Sequence, residues 1–221
     1  AEGRNVVLGL ATGATPLPFY AELVRMHKEE GLSFANVISF NLDEYSGLDR
    51  DHPESYWYFM HTNLFNHIDM KPENINLPSG TVKGDEIAAH CAAYEQKIKD
   101  CGGIDLQILG IGRTGHIGFN EPGESFDKQV HCVNLTESTI EANKRFFASA
   151  EDVPKQAYTM GIKTIMQAKK ILIVASGEDK AEIVQKAFFG PITPQVPASV
   201  LQLHNDVTLV ADEAALSKLS E

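Results

Sequence analysis

Three stretches of the sequence carry residue types that could do chemistry. One is Gly110-Ile111-Gly112-Arg113-Thr114-Gly115-His116-Ile117-Gly118-Phe119-Asn120-Glu121-Pro122. Glycines let backbone approach a ligand closely. A histidine with a carboxylate five residues on can be held in one tautomer and used as a proton carrier. A lone histidine is usually structural, but one set among four glycines after an apolar run is a functional candidate. The second stretch is Asn41-Leu42-Asp43-Glu44-Tyr45. If a strand runs through it, the two carboxylates point to opposite faces and one faces a cleft, where partial desolvation suits it to act as a base. On pattern alone a solvated acidic loop is the commoner outcome. The third is Ala11-Thr12-Gly13-Ala14-Thr15-Pro16. Gly13 permits an unusual turn, Thr15 is expected as the N-cap and Pro16 as the first helical residue. The free N–H groups of such a helix start, with threonine hydroxyls, make an anion site, although a plain capped turn reads the same way. The stretch lacks the lysine of a P-loop and the glycine spacing of a dinucleotide fingerprint. Arg145 and Lys180 are each more often solvated surface charges; brought to this turn, they would complete a phosphate clamp.

The elements that must position these residues alternate along the chain. Apolar runs at 5–10, 36–42, 106–111, 171–175 and 207–211 predict strands, with a short one at 130–135. Helices are expected over 16–29, 54–67, 86–99, 137–147 and 180–188. Continuous β-branched runs, rather than alternation, mark strands buried on both faces of a parallel sheet. The pattern predicts one α/β domain over 1–221: a single doubly wound, mostly parallel sheet with helices on both faces, Rossmann-like and three-layered. In such sheets ligands bind beyond the carboxyl ends of the strands, which is where all three stretches fall.

Composition removes several function classes. The chain has 221 residues, 43% of them hydrophobic, with 19 Lys and Arg against 30 Asp and Glu for a net charge of −11. That balance argues against a nucleic-acid binder, whose footprint is basic. A small anion needs only one local basic pocket. The aromatic run Tyr56-Trp57-Tyr58-Phe59 therefore reads as packing, not as a base-stacking platform. No apolar run reaches the roughly 18 residues of a membrane span, and no signal peptide is read. Cys91, Cys101 and Cys132 show no metal-like pairing, so a reducing, cytoplasmic compartment is expected.

LGLATGATPLPFY (8–20), FNLDEYSGL (40–48) with HPESY (52–56), LGIGRTGHIGFNEPG (109–123), LTESTIEANKRFF (135–147) and VPKQAYTMGI (153–162) occur in one order. Together they resemble the glucosamine-6-phosphate deaminase family over nearly the whole chain. Family members carry a longer stretch before the first turn, so their N-terminal strand and helix are expected to be absent here. The resemblance implies hydrolytic isomerisation of glucosamine 6-phosphate to fructose 6-phosphate and ammonia, with no metal or organic cofactor. It implies Asp43 as the base at C2, His116 with Glu121 for ring opening, and phosphate held by Thr12, Gly13, Ala14, Thr15, Arg145 and Lys180. It implies a sugar-phosphate partner only, with neither nucleic acid nor membrane, and a monomer or small homo-oligomer. One position departs from the family: Thr114 stands where an acid or amide is usual in the relay, and a hydroxyl carries no charge, so it is expected at best to orient. The basic positions that hold an activator phosphate in longer members fall here on His131 and Val133, which implies a non-allosteric enzyme. The alternatives are a 6-phosphogluconolactonase-like hydrolase and a catalytically weak sugar-phosphate sensor.

Overall fold

The computed structural model describes residues 5–123, 125–147, 149 and 151–219. In chain order its elements are β1 (Val6–Leu10), α1 (Leu17–Glu30), β2 (Val37–Asn41), β3 (Asp43–Ser46), α2 (Tyr56–Asn63), β4 (Ile75–Asn76), α3 (Glu86–Asp100), β5 (Leu106–Gly110), β6 (His131–Asn134), α4 (Glu137–Asn143), β7 (Gln156–Thr159), α5 (Ile162–Met166), β8 (Lys170–Ala175), α6 (Ala181–Phe189) and β9 (Val207–Ala211). Six strands form a parallel sheet in the order β4-β2-β1-β5-β8-β9. The chain leaves β1 toward β2 and β4, then returns to the other side of β1 for β5, β8 and β9. The order therefore reverses between β1 and β5, the switch point at which α/β sheets open a crevice.

Side-chain alternation sorts the core into two layers. Leu8 and Leu10 of β1 turn toward Tyr20 of α1 and Met60 of α2. Val7 of β1 belongs to the opposite layer, with Tyr94 and Ile98 of α3, Ile162 and Ile165 of α5, and Val184 and Ala187 of α6. Each fully buried apolar side chain contributes roughly 1.5–3 kcal/mol, so both faces of the sheet are anchored independently of the loops at its carboxyl edge.

The three-layer architecture is the one expected, with an addition. A three-stranded antiparallel sheet, β3-β7-β6, stands beside the parallel one. The acidic stretch after β2 is thus not a solvated loop but a buried strand. Leu42 splices the two sheets: its N–H donates to Leu10 O (2.8 Å) and its carbonyl accepts from Met160 N (2.7 Å). Two expected helices are shorter, because 54–67 and 137–147 each break into an α-helix followed by a 3-10 turn, at Phe65–His67 and Lys144–Phe146. At α1 the N-cap is Pro16 with no side-chain cap bond, so Thr15 does not cap the helix as expected. Among the described residues no helix is long and apolar enough to cross a membrane.

Candidate active site

Asp43 and Glu44 obey the strand period and have opposite fates. Glu44 turns to helix α2, accepting N–H groups from Tyr56 (2.9 Å), Trp57 (2.9 Å) and its neighbour Tyr45 (2.8 Å). It fixes the start of α2 together with Ser55, whose hydroxyl accepts from Tyr58 N (3.0 Å). Burial pushes the Glu44 carboxyl up to about 7, against the pull of those N–H groups. Asp43 is 7% exposed and its Oδ1 has no hydrogen-bond partner. Burial, with the charge of Glu44 added, pushes it up to about 8. A carboxyl held near neutrality without a structural partner has the properties of a proton acceptor.

The second sheet joins Asp43 to the glycine-rich loop. Asp43 stands opposite Thr159 in the β3–β7 register. Thr159 Oγ1 accepts the N–H of Phe119 (3.1 Å), and Asn120 Nδ2 donates to Met160 O (2.8 Å). The segment from His116 to Glu121 is therefore pinned against the strand facing Asp43. Within it, Thr114 Oγ1 lies 2.9 Å from His116 Nδ1 and donates to Glu121 Oε2 (3.2 Å), and His116 Nδ1 is 3.3 Å from that same oxygen. The other Glu121 oxygen accepts from Thr139 Oγ1 on α4 (2.8 Å). Burial works against the Glu121 charge, but His116, Thr139 and Thr114 outweigh it and hold the carboxyl below its ordinary value. Glu121 thus stays ionised and binds the Nδ1 edge of the imidazole. Gly112 is required beside it: a Cβ there would sit 2.1 Å from the His116 ring. Thr139 is a residue sequence reasoning missed, since its only signal was its place in a helix far along the chain.

The expected phosphate groups are brought together only in part. The turn Thr12–Thr15 follows β1 at the switch point, with Gly13 at φ 95°. Tyr45 and Tyr56 pack against each other with ring centroids 4.9 Å apart; burial pushes both phenols up, and the nearby Asp43 charge adds to it. Lys180, at the start of α6, is half-buried; burial pulls its ammonium below the usual range, opposed by Asp179 and assisted by Arg113. Arg113 pairs with Asp179 (3.1 Å), which ties the loops after β5 and β8 to each other. Arg145 is exposed, with its guanidinium 4.6 Å from the Phe146 ring, and makes no hydrogen bond to the turn or to Lys180. Among the described residues no cluster of three or more His, Cys, Asp or Glu side chains is arranged to hold a metal ion.

Comparison with known proteins shows the family. The model of the glucosamine-6-phosphate isomerase/6-phosphogluconolactonase family matches residues 1–210, and the chain belongs to that family. Its sequence is similar to particular members. It is 54% identical over 220 residues to glucosamine-6-phosphate deaminase of Thermoanaerobacter sp. (strain X514), covering 100% of this chain and 86% of that one. The enzyme of the same name from Clostridioides difficile (strain 630) is 55% identical over 216 residues, covering 98% and 86%. Among solved structures, one described as a monomeric glucosamine-6-phosphate deaminase superposes with a TM-score of 0.92 at 50% identity, covering 97% of this chain and 88% of that one. A 6-phosphogluconolactonase from Thermotoga maritima shares the fold, with a TM-score of 0.72 at 20% identity over 96% of this chain and 87% of that one.

Proposed function

We propose that this chain works as one domain that converts glucosamine 6-phosphate and water to fructose 6-phosphate and ammonia, as a cytoplasmic enzyme of amino-sugar breakdown. The observation that carries the reading is the antiparallel sheet, which sets a buried Asp43, its Oδ1 without a hydrogen-bond partner, opposite the strand that pins the His116–Glu121 loop. His116, with Glu121 behind Nδ1, takes the proton of the anomeric hydroxyl and returns one to the ring oxygen, opening the sugar. Asp43 removes the C2 proton, giving an enolamine, and delivers it to C1. A base poised near 8 accepts a carbon-bound proton better than an ordinary carboxylate does. Water then adds to the resulting C2 imine and ammonia leaves. Thr114 relays between His116 and Glu121 without adding charge. The Thr12–Thr15 turn and Lys180 receive the phosphate, and Arg145 joins them by leaving the face of Phe146. Charge neutralisation by a half-buried lysine suits a dianion. The chain needs no cofactor for these steps and acts as a monomer or small homo-oligomer.

The test is ammonia release from glucosamine 6-phosphate beside acid release from 6-phosphogluconolactone. Ammonia production with no lactone turnover supports the proposal. Lactone hydrolysis without ammonia overturns it, and saturable binding of the amino sugar with neither product identifies a sensor.

A further inference from the structure

Away from Asp43 and His116, a cavity of about 420 Å³ opens at the β4 edge of the parallel sheet. Its wall includes Arg50, Trp57, Glu73, His90, Tyr94 and Lys97. We propose that this cavity is a second, separate site for a phosphorylated small molecule bearing hydroxyl groups.

The charges favour an oxyanion. Arg50 and Lys97 both line the cavity, and among the described residues neither makes an ion pair. Arg50 is not a loose surface arginine, since its guanidinium is held 4.2 Å from the Trp57 ring centroid. Stacking of that kind fixes the guanidinium plane and leaves its N–H edge for an acceptor. His61 also stacks on Trp57, with ring centroids 4.3 Å apart, so the indole is already covered by protein groups. Recognition therefore rests on charge and hydrogen bonds.

The walls are fixed before any ligand arrives. Tyr94 Oη donates to Asn41 O (2.8 Å) and Asn76 O (3.1 Å). The backbone N–H of Trp57 is tied to Glu44 (2.9 Å). His90 Nε2 accepts from Ser79 N (3.0 Å), and burial pulls the ring below its usual pKa, so the neutral imidazole carries its proton on Nδ1 as a donor. A preorganised wall loses little entropy on binding. Glu73, the one carboxylate in the lining, repels a second anionic group and accepts from hydroxyls. The volume exceeds what a bare phosphate fills and suits a phosphorylated polyol.

Trp57 is the only tryptophan in the chain, so its emission reports on this cavity. The protein would be titrated with inorganic phosphate and with sorbitol 6-phosphate, following fluorescence and heat. A saturable response is expected, weakened roughly tenfold or more in Arg50→Gln and in Lys97→Gln, with the kinetics of ammonia release unchanged in both. That last readout separates this site from the active site, and the proposal does not rest on the deaminase reading. Tighter binding of sorbitol 6-phosphate than of phosphate supports a hydroxyl-bearing phosphorylated ligand; equal binding shows that the hydroxyl groups are not read and overturns that assignment. No saturable response up to about 10 mM of either probe, or unaltered affinity in both variants, overturns the proposal.

Discussion

Replacing Asp43 with asparagine should remove a carboxyl whose ionisation the fold opposes, and that opposition should appear as a pH dependence of stability. The native carboxyl is pushed up to about 8 by burial and by Glu44, whereas in the unfolded chain it titrates near 3.9. Below about pH 4 both states carry the proton. Between about 4 and 8 the folded state keeps a proton that the unfolded state has released, so stability from this group is complete in acid and is lost as pH rises through about 8. Each pH unit in that window costs about 1.4 kcal/mol, or on the order of 4 kcal/mol from pH 5 to pH 8. For a chain of this size that is roughly 8–16 °C in Tm. Glu44 contributes a slope of the same sign and is coupled to Asp43, so the difference between the two proteins reads Asp43 together with its effect on Glu44. Thermal melts of wild type and Asp43→Asn from pH 5 to 8.5 measure it: the variant should gain on wild type as pH rises. The same variant should lose solvent-deuterium exchange at C2 by about 10²–10⁴-fold while still binding substrate. Parallel melting curves, or exchange at the wild-type rate, would refute the reasoning.

Other outcomes follow from the same geometry. Lys180→Ala should raise KM for glucosamine 6-phosphate about 10–100-fold, since charged hydrogen bonds are worth about 1.5–3 kcal/mol; steady-state kinetics with phosphorylated and unphosphorylated sugar check it. Thr114→Asp places a second carboxylate against His116 Nδ1, which favours the imidazolium, so the pH–rate profile should move to higher pH and ring opening should change while C2 exchange from a pre-opened analogue does not. Gly112→Ala should lower kcat at least tenfold with little loss of fold, because the new methyl must displace the His116 ring from a 2.1 Å overlap; circular dichroism beside kinetics separates the two effects. Plots of rate against substrate should be hyperbolic and unmoved by N-acetylglucosamine 6-phosphate except as a weak competitor, because His131 and Val133 on β6 offer no guanidinium fork; a sigmoidal curve abolished by that sugar would contradict this.

The parallel sheet was legible because its strands advertise themselves: VVLGL, LQILG and KILIVA are near-continuous apolar runs. The antiparallel sheet was not. Asp and Glu are depleted in strands, so DEYS reads as loop; it is a strand because the fold buries both carboxylates, one under a helix start and one beside the proposed site. QAYT is too short to announce a period. The His116–Glu121 pair could be read because its members are five residues apart on one loop. Thr139 lies 18 residues beyond Glu121 on another element, and only folding brings it there. Thr15 shows the reverse error: the residue type suits a cap, but the backbone places Pro16 at the cap position.

Leu42 has a consequence for how such a chain can vary over time. A single residue separates β2 of the parallel sheet from the carboxylate pair, and both of its backbone groups are committed, one to each sheet. Inserting or deleting one residue there would exchange the faces of 43 and 44. The helix would then be capped by the shorter acid and the longer one would swing into the proposed catalytic cleft, so a single step would damage folding and chemistry together. Length changes at this splice should therefore be purged from any surviving lineage, while the loops on the far side of the sheet remain free to lengthen.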